Sequence, residues 1–256
     1  MPRGVCKLCL KHEELQDSHL LPRAAYKSLR ARAGNPNPLQ FSSMGAIQIS
    51  KQITDYLLCR NCEGLLNREG ETQVLPLLAT LDGFPLVELL QTVEPDLAGP
   101  EWIRYSCSKV PEIQVQSLVH FAVGVFWKAS VHCWRTLGRK VQIALGPYEE
   151  DARQFLLGQR AFPDSFSLTI SATPLDLPSL ACFAPFGGRE ANYHNFLFFI
   201  LGITFVLWTG RSHPAGVRTD CLVKNPNHPI IVSPHGTLLH ATILRRELRR
   251  ARTKKR

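Results

Sequence analysis

The chain offers little that would mark it for a membrane, a repeat architecture or a nucleotide-driven reaction. The one apolar run that invites a membrane reading, residues 196–208, stops at 13 residues and carries Gly202 and Thr204 inside it. A membrane helix needs about 20, so the run reads as buried strands and no membrane partner is expected. The opening residues, MPRGVCKLC, have no apolar stretch after the basic residue. That argues against a secretory signal and predicts a reducing, cytoplasmic setting in which cysteine serves metal binding or core packing. No segment repeats. With no G-x-x-x-x-G-K-[ST] loop and no G-x-S-x-G elbow, nucleotide hydrolysis and serine-esterase chemistry have no support.

What is present describes a folding chain. Hydrophobic residues make up 45% and charged residues 20% of 256 positions, which excludes a disordered or collagenous chain and predicts about two domains. The net charge of +9 is mostly local: residues 245–256 hold eight basic residues against one acid, Glu247. The remaining 244 residues are left near balance at +2. A charge confined to a tail implies a different partner from a charged face. The tail extends a predicted helix from about Leu238, with Leu244 and Leu248 four apart. It suits nucleic acid, through salt-sensitive affinity without sequence preference, or alternatively an acidic partner or a membrane surface.

The composition divides the chain at about residue 74. Residues 1–74 contain both C-x-x-C pairs and a Gly/Asn/Pro/Ser-rich stretch, 33–45, that reads as a loop. Residues 23–32, RAAYKSLRAR, read as a helix with Arg23, Lys27 and Arg30 on one face. Residues 75–244 bring long apolar runs. Two short helices are predicted over 75–90, broken at Asp82-Gly83, with a buried helix over 115–134 and another over 149–157. Strands follow near 165–172, 180–184, 195–201, 203–208 and 229–232. Helices first and strands later predict an α+β second domain.

Cys6-x2-Cys9 and Cys59-x2-Cys62 supply the four thiolates that tetrahedral zinc prefers, with 49 residues between the pairs. A gap of that length points to a site tying two separate elements together. The alternative is two unrelated redox or core pairs. Cys107, Cys133, Cys182 and Cys221 stand alone in apolar surroundings and read as core packing. Between the pairs lies Asp17-Ser18-His19-Leu20-Leu21-Pro22; a histidine in such a setting is more often structural than catalytic. After the second pair, Glu63, Asn67 and Glu71 fall at i, i+4 and i+8, one oxygen-bearing stripe if the segment is helical.

These residues together, C-x-x-C, D-S-H-L-L-P and L-L-C-x-x-C-E, resemble the zinc-stabilised branch of the HNH (His-Me finger) nucleases over residues 6 to about 72. The remainder is similar to poorly characterised bacterial proteins with an LLC-x-x-CE…L-N-x-x-GE segment. The resemblance implies a zinc-bound ββα module, HNH- or treble-clef-like, ahead of a larger α+β domain. It implies that Cys6, Cys9, Cys59 and Cys62 hold a structural Zn²⁺, that His19 is the general base, and that Glu63 takes the position of the last ligand to a catalytic Mg²⁺ or Mn²⁺. The sequence departs from the family in two places. Ser18 stands where an acidic ligand often precedes the base, and Glu63 stands where His or Asn is usual.

A carboxylate suits a hard divalent cation, and Asn67 one turn later offers a second oxygen. In such a site His19 would take a proton from the water that attacks a phosphodiester, with DNA the expected nucleic acid ahead of RNA. Arg23, Lys27, Arg30, Arg60 and Arg68 are the candidates for phosphate contacts. Two other functions stay open. One is a zinc-bearing nucleic-acid-binding or interaction module without catalysis; the other is a phage-defence effector held inactive by a partner ATPase or sensor.

Overall fold

The computed structural model describes residues 1–32, 39–42, 45–48, 52–80, 82–136, 139–173, 182–190 and 192–233, with backbone alone for 28–32, 39–42, 45–48, 136 and 139. The basic tail and its predicted helix lie outside the described residues. In chain order the first part has β1 (Arg3–Val5), β2 (His12–His19), α1 (Arg23–Arg32), β3 (Leu39–Ser42), β4 (Gly45–Gln48) and β5 (Thr54–Cys59). Then α2 (Arg60–Leu66) runs through a wide π turn at Asn67–Glu71 into α3 (Thr72–Val74). The second part has α4 (Pro85–Leu90), β6 (Leu97–Ala98), β7 (Ile103–Ser106), α5 (Val115–Val131), β8 (Trp134–Thr136), β9 (Arg139–Val141) and α6 (Glu149–Leu156). It closes with β10 (Phe166–Ala172), β11 (Cys182–Arg189), β12 (Tyr193–Ile200), β13 (Ile203–Gly210), α7 (Ala215–Thr219) and β14 (Pro229–Val232).

The result is a mixed α/β fold with one dominant sheet. Nine strands pair in the order β4-β3-β11-β12-β13-β10-β14-β7-β6, and a separate three-stranded sheet, β1-β2-β5, holds the cysteine pairs. Period-2 alternation explains the large sheet. Phe196, Phe198 and Ile200 of β12 and Ile203, Phe205 and Leu207 of β13 are all buried, and they share one face through the register Phe196↔Leu207, Phe198↔Phe205 and Ile200↔Ile203. That face meets α5. Phe198 stacks on Phe205 with centroids 4.7 Å apart, and Phe121 and Phe126 of α5 meet Phe198 edge-on. From Leu118 to Ser130 every residue of α5 but the half-buried His120 is buried, as suits a mostly apolar helix; Leu118, Val119, Ala122, Val123, Val125 and Trp127 are among them.

Three expectations are corrected. The stretch 33–45 contains β3, which pairs in parallel with β11 (Gln40↔Cys182, Phe41↔Phe183); this distant partner overrides the local loop signal. The helix expected to reach residue 134 stops at Val131, because His132 turns to extended φ −140° and ψ 137° and Trp134 opens β8. The strand expected to include Leu201 ends one residue sooner. Leu201 and Gly202 form the two-residue hairpin turn, both at positive φ, which is the geometry that matches strand twist. One apolar cluster runs from Cys6 to Val232, so the cysteine region and the large sheet share a core.

The π turn also shapes the packing. It brings Gly70 against α5 so closely that a Cβ there would lie 3.0 Å from the Phe121 backbone. Gly70→Ala is expected to force the two helices apart and to lower stability by about 1–3 kcal/mol, read as a reduced midpoint of urea unfolding; an unchanged midpoint would contradict this packing.

Candidate metal centre

The strand β2 and the strand β5 run antiparallel, and α2 follows β5 without a break. Cys6 and Cys9 lie in the tight turn between β1 and β2. Its geometry comes from the backbone: Cys6 N–H donates to the Lys11 carbonyl and Leu10 N–H to the Cys6 carbonyl, each at 2.9 Å, with Leu10 at φ 63°. Cys59 ends β5 and Cys62 lies in the first turn of α2. The pairing of β2 with β5 shifts at Leu57, since Gln16 faces Leu58 and Asp17 faces Tyr56. This bulge frees the Leu57 carbonyl to accept Lys7 N–H of the cysteine turn at 3.2 Å. The Leu58 N–H goes instead to the buried Ser18 hydroxyl, also at 3.2 Å.

The four sulfurs lie within 4.8 Å of one another. A regular tetrahedron with Zn–S bonds of about 2.3 Å has sulfurs about 3.8 Å apart, and Cys9 Sγ and Cys59 Sγ are 3.9 Å apart. The donor set therefore fits a structural metal such as zinc. The Cys6 thiol is held down to about 4, first by the S–H that Cys62 donates and then by the Cys59 N–H, which reaches Cys6 Sγ at 3.3 Å. The same exchange pushes Cys62 upward, with burial adding to it, and burial raises Cys9. By contrast Cys107 and Cys182 are solitary and buried, both raised to about 12 by desolvation.

A second element clamps this turn. Arg153 of α6 donates to the Leu8 carbonyl at 2.8 Å and is itself gripped by both carboxylate oxygens of Glu150 at 2.7 Å. Arg153 holds the Glu150 carboxyl at about 2, with Gln154 assisting. Since this pKa is depressed, the clamp's contribution is fully present above the ordinary carboxylate range and is lost as pH falls through about 2.

The other sequence candidates occupy distinct places. His19 ends β2, half-buried, with Nε2 2.6 Å from Gln52 Oε1. The amide oxygen can only accept, so Nε2 carries the proton and, in the neutral ring, Nδ1 keeps the lone pair. Glu63 lies in the first turn of α2, and its Oε1 is buried with no hydrogen-bond partner among the described residues. Asn67 is exposed and accepts from the Thr72 hydroxyl at 3.1 Å. Asn67 N–H bonds the Glu63 carbonyl within α2, the π turn that follows is closed by Thr72 N–H on the Asn67 carbonyl, and Glu71 faces Lys128 of α5 at 3.7 Å. Arg23, Lys27, Arg60 and Arg68 are exposed, whereas the Arg30 side chain lies outside the described residues. Arg60 shares a surface recess beside Cys59 with Glu13 and Glu14, so its charge is partly offset. Among the described residues, the four cysteines are the one group of three or more His, Cys, Asp or Glu side chains placed to hold a metal, and no helix is long and apolar enough to cross a membrane.

Sequence reasoning missed Gln52, which sits in the unremarkable run SKQIT. It also missed Lys128, whose signal was available: it is the one Lys, Arg, Asp or Glu in the 17-residue α5. No protein-family model, no curated protein and no solved structure matches the chain.

Two outcomes follow for the metal centre. Purified chain should carry one zinc, and Cys62→Ser should abolish it and markedly lower thermal stability, measured by elemental analysis and melting; a Cys62→Ser protein with full zinc would contradict the four-sulfur site. Arg153→Ala should speed zinc transfer to a chelator several-fold, since outer contacts orient metal ligands. An unchanged transfer rate would show that the α6 clamp does not bear on the metal.

Proposed function

We propose that β2, β5 and α2 form a zinc-stapled HNH-type unit that hydrolyses nucleic-acid phosphodiesters, with His19 as general base. The observation that carries the reading is the His19–Gln52 contact. An imidazole fixed through Nε2–H presents Nδ1 as a base in one orientation, as a base held by a third group requires. Nδ1 takes a proton from a water whose oxygen attacks phosphorus, the bond from phosphorus to the leaving oxygen breaks, and that oxygen is protonated from solvent. The buried, unpartnered Oε1 of Glu63 supports the second part of the reading, because a buried carboxylate oxygen without a donor is what a divalent cation satisfies. When bound, Mg²⁺ or Mn²⁺ would offset the charge of the scissile phosphate. Its remaining positions suit water and phosphate oxygens, which Mg²⁺ normally keeps. Exposed Arg23, Lys27 and Arg68 supply phosphate contacts without base readout.

A second reading, a zinc-bearing nucleic-acid-binding module without catalysis, is favoured by one observation. Ser18, at the position of the acidic ligand in the related nucleases, is buried and spends its hydroxyl on the Leu58 N–H. The two readings part in one assay. Zinc-loaded protein with Mn²⁺ or Mg²⁺ should cleave plasmid DNA, and His19→Ala should lose roughly 10²–10⁴-fold in rate while keeping its zinc. Plasmid that is bound but not cut by the wild type, with either metal, would leave the binding module.

A further inference from the structure

Lys128 stands out once the apolar helix around it is seen. It is 2% exposed, and a buried ammonium costs several kcal/mol unless it is paired and hydrogen-bonded. Its Nζ donates to the backbone carbonyl of His19 at 2.7 Å and lies 3.7 Å from Glu71 Oε1. The helix position is fixed in turn: the Lys128 carbonyl accepts Trp134 Nε1–H at 2.8 Å, and four residues on, His132 Nε2 meets Asp55 Oδ2 of β5 at 2.8 Å. The last turns of α5 thus grip both strands next to His19. A methionine would fill the same space without the desolvation cost, so what the ammonium adds at this place is its two contacts, to the His19 carbonyl and to Glu71.

We infer that Lys128, with Glu71 as its counterion, is a positioning residue for His19; the inference rests on the reading of His19 as general base. His19 is the last residue of β2, facing Thr54, and the following Leu20 N–H bonds the Ile53 carbonyl at 3.0 Å. The β5 ladder holds that peptide from one side and the ammonium holds its carbonyl from the other. Together they fix the direction in which the His19 side chain leaves the backbone, and hence its reach to Gln52. Glu71 is brought to the ammonium by the π turn, and a π turn of this kind is frequent at functional positions. His120 completes the surroundings. It lines the same small recess as Glu71 and Lys128, and burial lowers its pKa, so it adds no second cation there under neutral conditions.

The test is the ring-nitrogen NMR spectrum of His19 in the zinc-loaded full chain, assigned by comparison with His19→Ala, alongside plasmid cleavage. In the wild type, the neutral ring should show the Nε2–H form. In Lys128→Met, folded and zinc-loaded, the spectrum should move toward a mixture of tautomers, and kcat should fall roughly tenfold or more with KM little changed, the mark of a misaligned group. Glu71→Gln should shift both in the same direction by a smaller amount. Wild-type His19 signals in Lys128→Met would overturn the inference; if that variant does not fold, wild-type signals in Glu71→Gln would do so. The failure of the nuclease reading looks different: the wild type would cut no DNA, while the His19 spectrum would still report on positioning.

Discussion

Four sulfurs drawn within 4.8 Å close a 49-residue span, and the order of the N-terminal strands depends on that closure. A cross-link over such a span removes on the order of 4 kcal/mol of chain entropy from the unfolded state, and a bound zinc adds its own binding energy to folding. The three-stranded sheet could not supply this alone, since β1 has three residues and Val5 and Leu10 remain exposed. With the cysteine turn fixed to the start of α2, β2 is held against β5 along its length, and the bulge at Leu57 turns a carbonyl toward the turn that carries Cys6 and Cys9. His19 lies at the far end of the same strand pair. The cysteine cluster and His19 thus sit at opposite ends of one strand pair.

The large sheet contributes from the other direction. Its aromatic face needs a helix that is apolar on the side it covers, and α5 meets that need; the cysteine region then encloses the opposite side. This double burial makes Lys128 costly and makes its contacts specific. Its hydrogen bond to the His19 carbonyl and its pairing with Glu71 join the end of β2, the π turn and α5 at one point. The segment between the cysteine pairs extends the connection, because β3 and β4 add to the edge of the large sheet.

The sequence showed the cysteine set clearly, since two C-x-x-C pairs leave few other uses for four thiolates. It also showed α5, α6 and the core strands β10, β12, β13 and β14 to within a few residues, because apolar runs or a helical period are bounded there by Gly and Pro. It did not show β3, whose pairing with β11 spans some 140 residues of chain, nor the π turn, which has no composition of its own and which precedes the contact of Glu71 with Lys128. The Ser18 hydroxyl was legible as a departure from the family but not as the acceptor of a bulge N–H. Such roles depend on register, and register is decided by partners far away in the chain.

The central proposal is that His19 acts as general base beside a divalent ion held at Glu63. Mn²⁺ titration of the zinc-loaded chain, followed through the ring signals of its nine histidines, tests it directly, because a bound paramagnetic ion broadens only nearby nuclei. The account predicts selective broadening of His19 at low Mn²⁺, abolished by Glu63→Gln with the zinc retained. Broadening of exposed histidines alone, or none at His19 at any Mn²⁺ concentration the fold tolerates, would contradict it.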